Sequence, residues 1–230
     1  MFEWQIELIG DEKDIQFLEV YLVDTPYHVS TLGKRKSITL ANFPPDADSE
    51  TVHAASNKII DIINGAAKLY FKGFGGVSFV KVLRLKENGK WIGFGYLTAP
   101  ETDFTLTAYS PGDRTIFNWI DTALSNQEIE RALYLFGSLE LNWKNLYMVL
   151  EVIEDSFGGE TSLLNTNLVP PEDVKSFKRT ASSYKAIGRD ARHATLKFEL
   201  PREPMTLRKA QEVVGTLLQE WIKYEMRKSA

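Results

Sequence analysis

The chain changes its hydrophobic period once, near residue 110, and that change limits its architecture more than any other feature. Before it, apolar residues alternate as in strands; after it, they recur every three or four residues as in helices. Such a chain reads as an α+β fold in two parts: a small sheet domain over residues 1–110 and an all-α bundle over residues 111–230. A length of 230 residues gives each part enough chain for its own core. The turn-forming run Tyr109-Ser110-Pro111-Gly112 marks the boundary.

In the first part, residues 2–9 alternate, with Trp4, Ile6 and Leu8 on one side and Glu3, Gln5 and Glu7 on the other, as in a half-buried strand. Ile15, Leu18 and Leu22 then suggest a short helix from Asp14, although Phe17, Val20 and Tyr21 blur its stripe. Residues 27–32 and 37–43 flank the turn Gly33-Lys34-Arg35-Lys36 as a hairpin, and Pro44-Pro45 closes it. Asp48 or Ser49 caps a long helix carrying Val52, Ala55, Ile59, Ile62, Ile63 and Ala66, with Gly65 inside or just past it. Strands over residues 77–85 and 91–97 flank Asn88-Gly89, a strong hairpin signal, and residues 104–108 add a short strand. The prediction is an antiparallel-rich sheet with one main helix.

In the second part, amphipathic helices are predicted over residues 114–124, 128–136 and 142–157. A polar loop follows over residues 158–169, and Pro170-Pro171-Glu172-Asp173 starts another helix. A long final helix runs over residues 206–226, giving a bundle of four to five helices.

A hydrophobic content of 43% excludes a mainly disordered chain. With no cysteine there are no disulfides, thiolate metal sites or cysteine nucleophiles. His28, His53 and His193 are too scattered for a short metal motif, so no metal and no cofactor is expected. No apolar run spans a membrane, and the N-terminal run MFEWQIELIGDEKD lacks the basic and apolar regions of a signal peptide. The expected location is the cytoplasm.

The net charge is −4, yet residues 174–197 hold seven Lys and Arg against one acid, Asp190. Lys175, Lys178, Arg179 and Lys185 in this run are candidate contacts to a nucleic-acid backbone. Gly73-Phe74-Gly75-Gly76 is only superficially a phosphate loop, since it leads into a strand and lacks a lysine. Glu151, Glu154 and Asp155 read as a solvated helix face, with Glu151 one turn from Tyr147 and so able to support a neighbouring site. His28 and His53 read as structural or surface residues.

Arg189-Asp190-Ala191-Arg192-His193 stands apart, because it puts a histidine beside two arginines inside the basic run. Metal-free cleavage of RNA needs a group that transfers protons near neutral pH and a cation to hold the phosphate, and these residue types supply both. The plain alternative is that the arginines pair with acids on neighbouring helices while His193 caps or packs.

Together with the helix NWKNLYMVLEVIED before it and the proline-marked closing helix PMTLRKAQEVVGTLLQEWI after it, this motif resembles the HEPN superfamily. Those are the small helical bundles of prokaryotic toxins, defence proteins and CRISPR-associated ribonucleases. The chain is also similar to bacterial proteins in which such a bundle follows an α+β module. The resemblance covers the last half and implies a homodimer with a composite, metal-independent ribonuclease site. There His193 would be the acid/base, Arg189 the phosphate-binding residue and Arg192 its support. The 2′-hydroxyl of the ribose would attack the adjacent phosphate and leave a cyclic phosphate. The three residues between Arg189 and His193 make a closer spacing than is usual in the superfamily. Because many members have lost activity, the alternative expectation is an inactive dimeric scaffold or sensor. In either case the N-terminal domain would recognise a trigger or a protein partner.

Overall fold

Strand β1 (Trp4–Gly10) occupies the middle of a sheet, and both of its faces are used. Trp4, Ile6 and Leu8 are buried as their alternation predicts, but Gln5 on the other face is buried as well. Glu7, next along that face, lies 3.9 Å from both Arg35 and Lys81. The polar side of the strand expected to be half-buried is therefore partly covered by side chains of the strands that pair with its two edges. The computed structural model describes residues 4–32, 35–40, 43, 47–86, 90–95, 113–138 and 140–228. The chain divides into two compact units, Met1–Asp121 and Thr122–Ala230.

After β1, the Asp11 side chain accepts a hydrogen bond from the Lys13 amide and starts α1 (Glu12–Tyr21). Phe17, which blurs the apolar stripe, is buried among the rings of Tyr21, Tyr70, Phe71 and Phe74. Strands β2 (Val29–Leu32) and β3 (Arg35–Leu40) pair from Leu32 opposite Arg35. Arg35 and Lys36 therefore belong to a strand, and the connection is shorter than the four-residue turn expected, as hairpins favour.

Helix α2 (Ser49–Tyr70) is capped by Asp48, whose carboxylate accepts from the Thr51 amide and hydroxyl, both at 2.8 Å. Val52, Ile59, Ile62, Ile63 and Ala66 are buried, whereas Ala55 is half-buried and Ser56 takes the inner position. The Ser56 hydroxyl donates to Val52 O at 2.6 Å, which satisfies it there. Gly65 is inside the helix. Strands β4 (Val77–Leu85) and β5 (Trp91–Gly95) complete the antiparallel sheet, in the order β2-β3-β1-β4-β5. Ile6 lies between Ile38 and Val82 at its centre. The expected turns at Gly33-Lys34, Pro44-Pro45 and Asn88-Gly89, the end of the strand beyond Gly95, the strand at 104–108 and the boundary at 109–112 fall outside the described residues.

The rest of the described chain is mostly helical, so the α+β class holds. Asp113 accepts from the Thr115 amide and starts α3 (Thr115–Ser125), within which the two units divide. Asn126 and Asn142 cap α4 (Gln127–Ser138) and α5 (Trp143–Ser156) in the same way. Residues 158–169, expected as loop, contain α6 (Glu160–Asn165), a helix too short to carry a period of its own. Gly158 and Gly159, at φ of +77° and +116°, turn the chain into it, and Leu163 is buried. Helix α7 (Pro171–Ser182) starts with proline at its first position, as expected. The short α8 (Tyr184–Ile187), a 3-10 turn (Gly188–Asp190) and α9 (Leu207–Lys228) complete the unit. Helix α5 packs against α4, α6, α7 and α9 through a core that includes Leu146, Leu150, Phe177, Leu218 and Trp221. Among the described residues no helix is long and apolar enough to cross a membrane.

Candidate functional site

The basic motif lies where the last turn of α7 collects the chain that follows it. The Arg192 amide donates to Ala181 O at 2.8 Å, and the Met205 amide donates to Thr180 Oγ1 at 3.0 Å. Residues 192–205 thus leave and return at neighbouring positions, forming a closed loop of the kind that often carries function. Thr180 and Ala181 are buried, so both tethers sit on a fixed base.

Arg192 is held by its side chain too. Its guanidinium donates from Nη1 to the Tyr147 hydroxyl at 2.9 Å and from Nη2 to Glu151 Oε1 at 2.7 Å. Its Cζ lies 4.3 Å from the centre of the Tyr147 ring. Tyr147 and Glu151 are one turn apart on α5, so one face of that helix receives the arginine fork. The sequence offered these two residues only as able to support a neighbouring site, and the structure brings them to Arg192. Of the acids of α5 expected on a solvated face, Glu151 and Asp155 are exposed, Glu151 while taking Arg192, and Glu154 is half-buried where it takes Lys178.

The basic run is less free than its sequence suggests. Lys175 pairs with Glu172 at 2.8 Å, and Lys185 reaches Glu199 at 3.3 Å. Lys178 bridges Glu154 and Glu160 at 2.8 and 2.7 Å. Burial alone would depress the Lys178 ammonium, but the two carboxylates outweigh it and raise it above the ordinary lysine range. The acids that neutralise these lysines include residues from α5 and α6, which local charge counting leaves out. Arg179, Arg189 and Lys197 have exposed side chains with no hydrogen bond or ion pair among the described residues.

His193 is half-buried, and its ring lies almost parallel to that of Phe198, with centroids 4.7 Å apart and planes 15° from each other. Its ring nitrogens form no hydrogen bond among the described residues. The other histidines are engaged in the first unit. His28 Nδ1 is 3.2 Å from Thr25 O and Nε2 is 3.2 Å from Thr39 Oγ1, while His53 contacts Phe79 and Asn57. Sequence reasoning missed Phe198, for which no spacing rule gives a signal.

The glycine loop after α2 is occupied, but by a carboxyl group of the protein itself. Asp14 Oδ2 accepts from the amides of Gly75 and Gly76 at 2.9 and 3.1 Å. Asn64 fixes the following residue, accepting from the Val77 amide and donating to its carbonyl. The loop is structural, as the sequence suggested. Among the described residues no group of three or more His, Asp or Glu side chains is placed to hold a metal ion. Comparison with models of known protein families, with curated proteins and with solved structures gives no match.

Proposed function

We propose that the helical unit is a HEPN-like module that acts on RNA as a metal-independent endoribonuclease in a defence or toxin setting. His193 transfers protons and Arg189 binds the scissile phosphate. One observation carries this proposal: Arg192 is locked onto α5 while Arg189 and His193, on either side of it, have polar ends with no partner among the described residues. Arg192 supports Arg189 by holding the segment in place. Exposed Arg179 and Lys197 supply further charge for the RNA backbone. The working form is a homodimer through the helical unit. Leu196 and Leu200, 63% and 53% exposed in the same loop as His193, are apolar surface that a second copy would cover. The sheet unit recognises a protein partner or trigger.

A second function, that of an inactive dimeric scaffold, is favoured by a specific feature. Among the described residues no carboxylate or carbonyl orients the His193 ring, although catalytic histidines commonly have such a partner. The test is to incubate wild type and His193→Ala with single-stranded and structured RNA in EDTA and to measure the mass of each in solution. Cleavage by wild type alone, with both proteins dimeric, is the expected result. A stable dimer that cleaves nothing selects the scaffold, and a monomer removes the composite site.

A further inference from the structure

We infer that Phe198 is a positioning residue that holds the His193 imidazole by its face, and this inference rests on the ribonuclease function proposed above. A proton-transfer histidine works through its edge, because both nitrogens present their N–H or lone pair in the ring plane. An orienting carboxylate would occupy one of those nitrogens. Phe198 occupies neither, since it lies against the flat face at 4.7 Å and 15°, within the roughly 4.5–7 Å range of favourable ring pairs. The contact is the one interaction found for the His193 side chain among the described residues.

The loop is built to deliver this stack. Its N-terminal end is pinned by the Arg192 amide on Ala181 and by the Arg192 fork on Tyr147 and Glu151. Its C-terminal end is pinned by the Met205 amide on Thr180. Between them the Lys197 amide donates to Thr195 Oγ1 at 3.2 Å, a local turn that folds Phe198 back over His193. His193 is therefore held from its backbone on one side and from its ring on the other. Without Phe198 the imidazole would rotate freely about its side-chain bonds, and the chemical step would lose its alignment.

The experiment uses the full chain in three forms: wild type, Phe198→Leu and Phe198→Tyr. Histidine ring resonances are recorded by NMR, with His193 assigned by its absence from His193→Gln. RNA cleavage in EDTA gives kcat and KM. An upfield ring-current shift of His193 is expected in wild type, lost in Phe198→Leu and kept in Phe198→Tyr. With it, kcat is expected to fall about 10- to 100-fold in Phe198→Leu while KM stays within about twofold, and Phe198→Tyr is expected to recover most of the rate. Cleavage that proceeds at an unchanged kcat in Phe198→Leu overturns the positioning role alone, as does a wild-type His193 without the ring-current shift. If the shift is present but no form cleaves RNA, it is the ribonuclease function that fails, and the positioning role falls with it.

Discussion

Replacing Lys178 by alanine should destabilise the helical unit by about 2 kcal/mol, a value set between two limits. A fully buried ion pair broken on one side costs roughly 3–5 kcal/mol, and an exposed pair about 0–1 kcal/mol. The Lys178 side chain is 20% exposed and its partners Glu154 and Glu160 are 14% and 42% exposed, so the site lies between these cases. Most of the loss comes from Glu154, whose carboxylate would remain largely buried with its cation removed. With a urea slope of about 1–2 kcal/mol/M, the midpoint should fall by about 1–2 M, and hydrogen exchange in α5 and α7 assigns the transition to this unit. Lys178→Met combined with Glu154→Gln should recover at least half of the loss, because the only carboxylate then left without its cation is that of Glu160, which is 42% exposed and solvated. The folded-state lysine is raised, so its contribution is complete below the ordinary lysine range and is lost as pH rises through the folded value. A loss under about 0.5 kcal/mol, or no recovery in the double variant, would refute this account of the bridge.

Three further outcomes follow from single contacts. Burial raises the Asp14 carboxyl against the opposing pull of the Gly75 and Gly76 amides, so wild type should gain stability relative to Asp14→Asn as pH falls from 7 towards 4, and a gap independent of pH would contradict this. Arg192→Lys keeps the charge but loses the fork on Tyr147 and Glu151, so hydrogen exchange across residues 192–205 should quicken about 5- to 30-fold at unchanged helix content, and unchanged exchange would count against the anchor. Asn142→Ala removes the cap of α5 and should cost about 1 kcal/mol in urea unfolding, against essentially nothing for exposed Asp155→Ala.

These contacts divide into those a sequence displays and those it hides. Helices α2, α5 and α9 were legible because an amphipathic stripe is a local pattern, and β1 and β4 because alternation is. Helix α6 was not, since six residues make less than two turns and Leu163 alone marks its inner face. Gln5 and Glu7 lie on the polar side of the alternation, and the side chains of neighbouring strands that crowd that face, Arg35 and Lys81 among them, are not recorded in the strand's own sequence. At the candidate site, Tyr147, Glu151 and Arg192 were each singled out, but the bond between Arg192 and Glu151 joins residues 41 positions apart. Phe198 acquires its role only when the loop closes on α7, and no motif spacing records that closure.

The same limit applies to charge and leads to a measurable difference. Seven cations in residues 174–197 would suggest about seven phosphate contacts, and for single-stranded RNA a slope of log K against log salt near −5, at roughly −0.7 per contact. The fold assigns Lys175, Lys178, Lys185 and Arg192 to carboxylates, which leaves Arg179, Arg189 and Lys197. A phosphate must displace a carboxylate to use any of the first four, whereas the other three are ready. The expected slope is therefore about −2. It is measured by titrating the full chain with a single-stranded oligonucleotide lacking the attacking 2′-hydroxyl, so that binding is separated from cleavage. Arg179→Gln should reduce the slope by about 0.7, and Lys175→Gln should leave it unchanged. A slope near −5 would mean that RNA opens the ion pairs, and an absence of binding at low salt would remove RNA as a ligand.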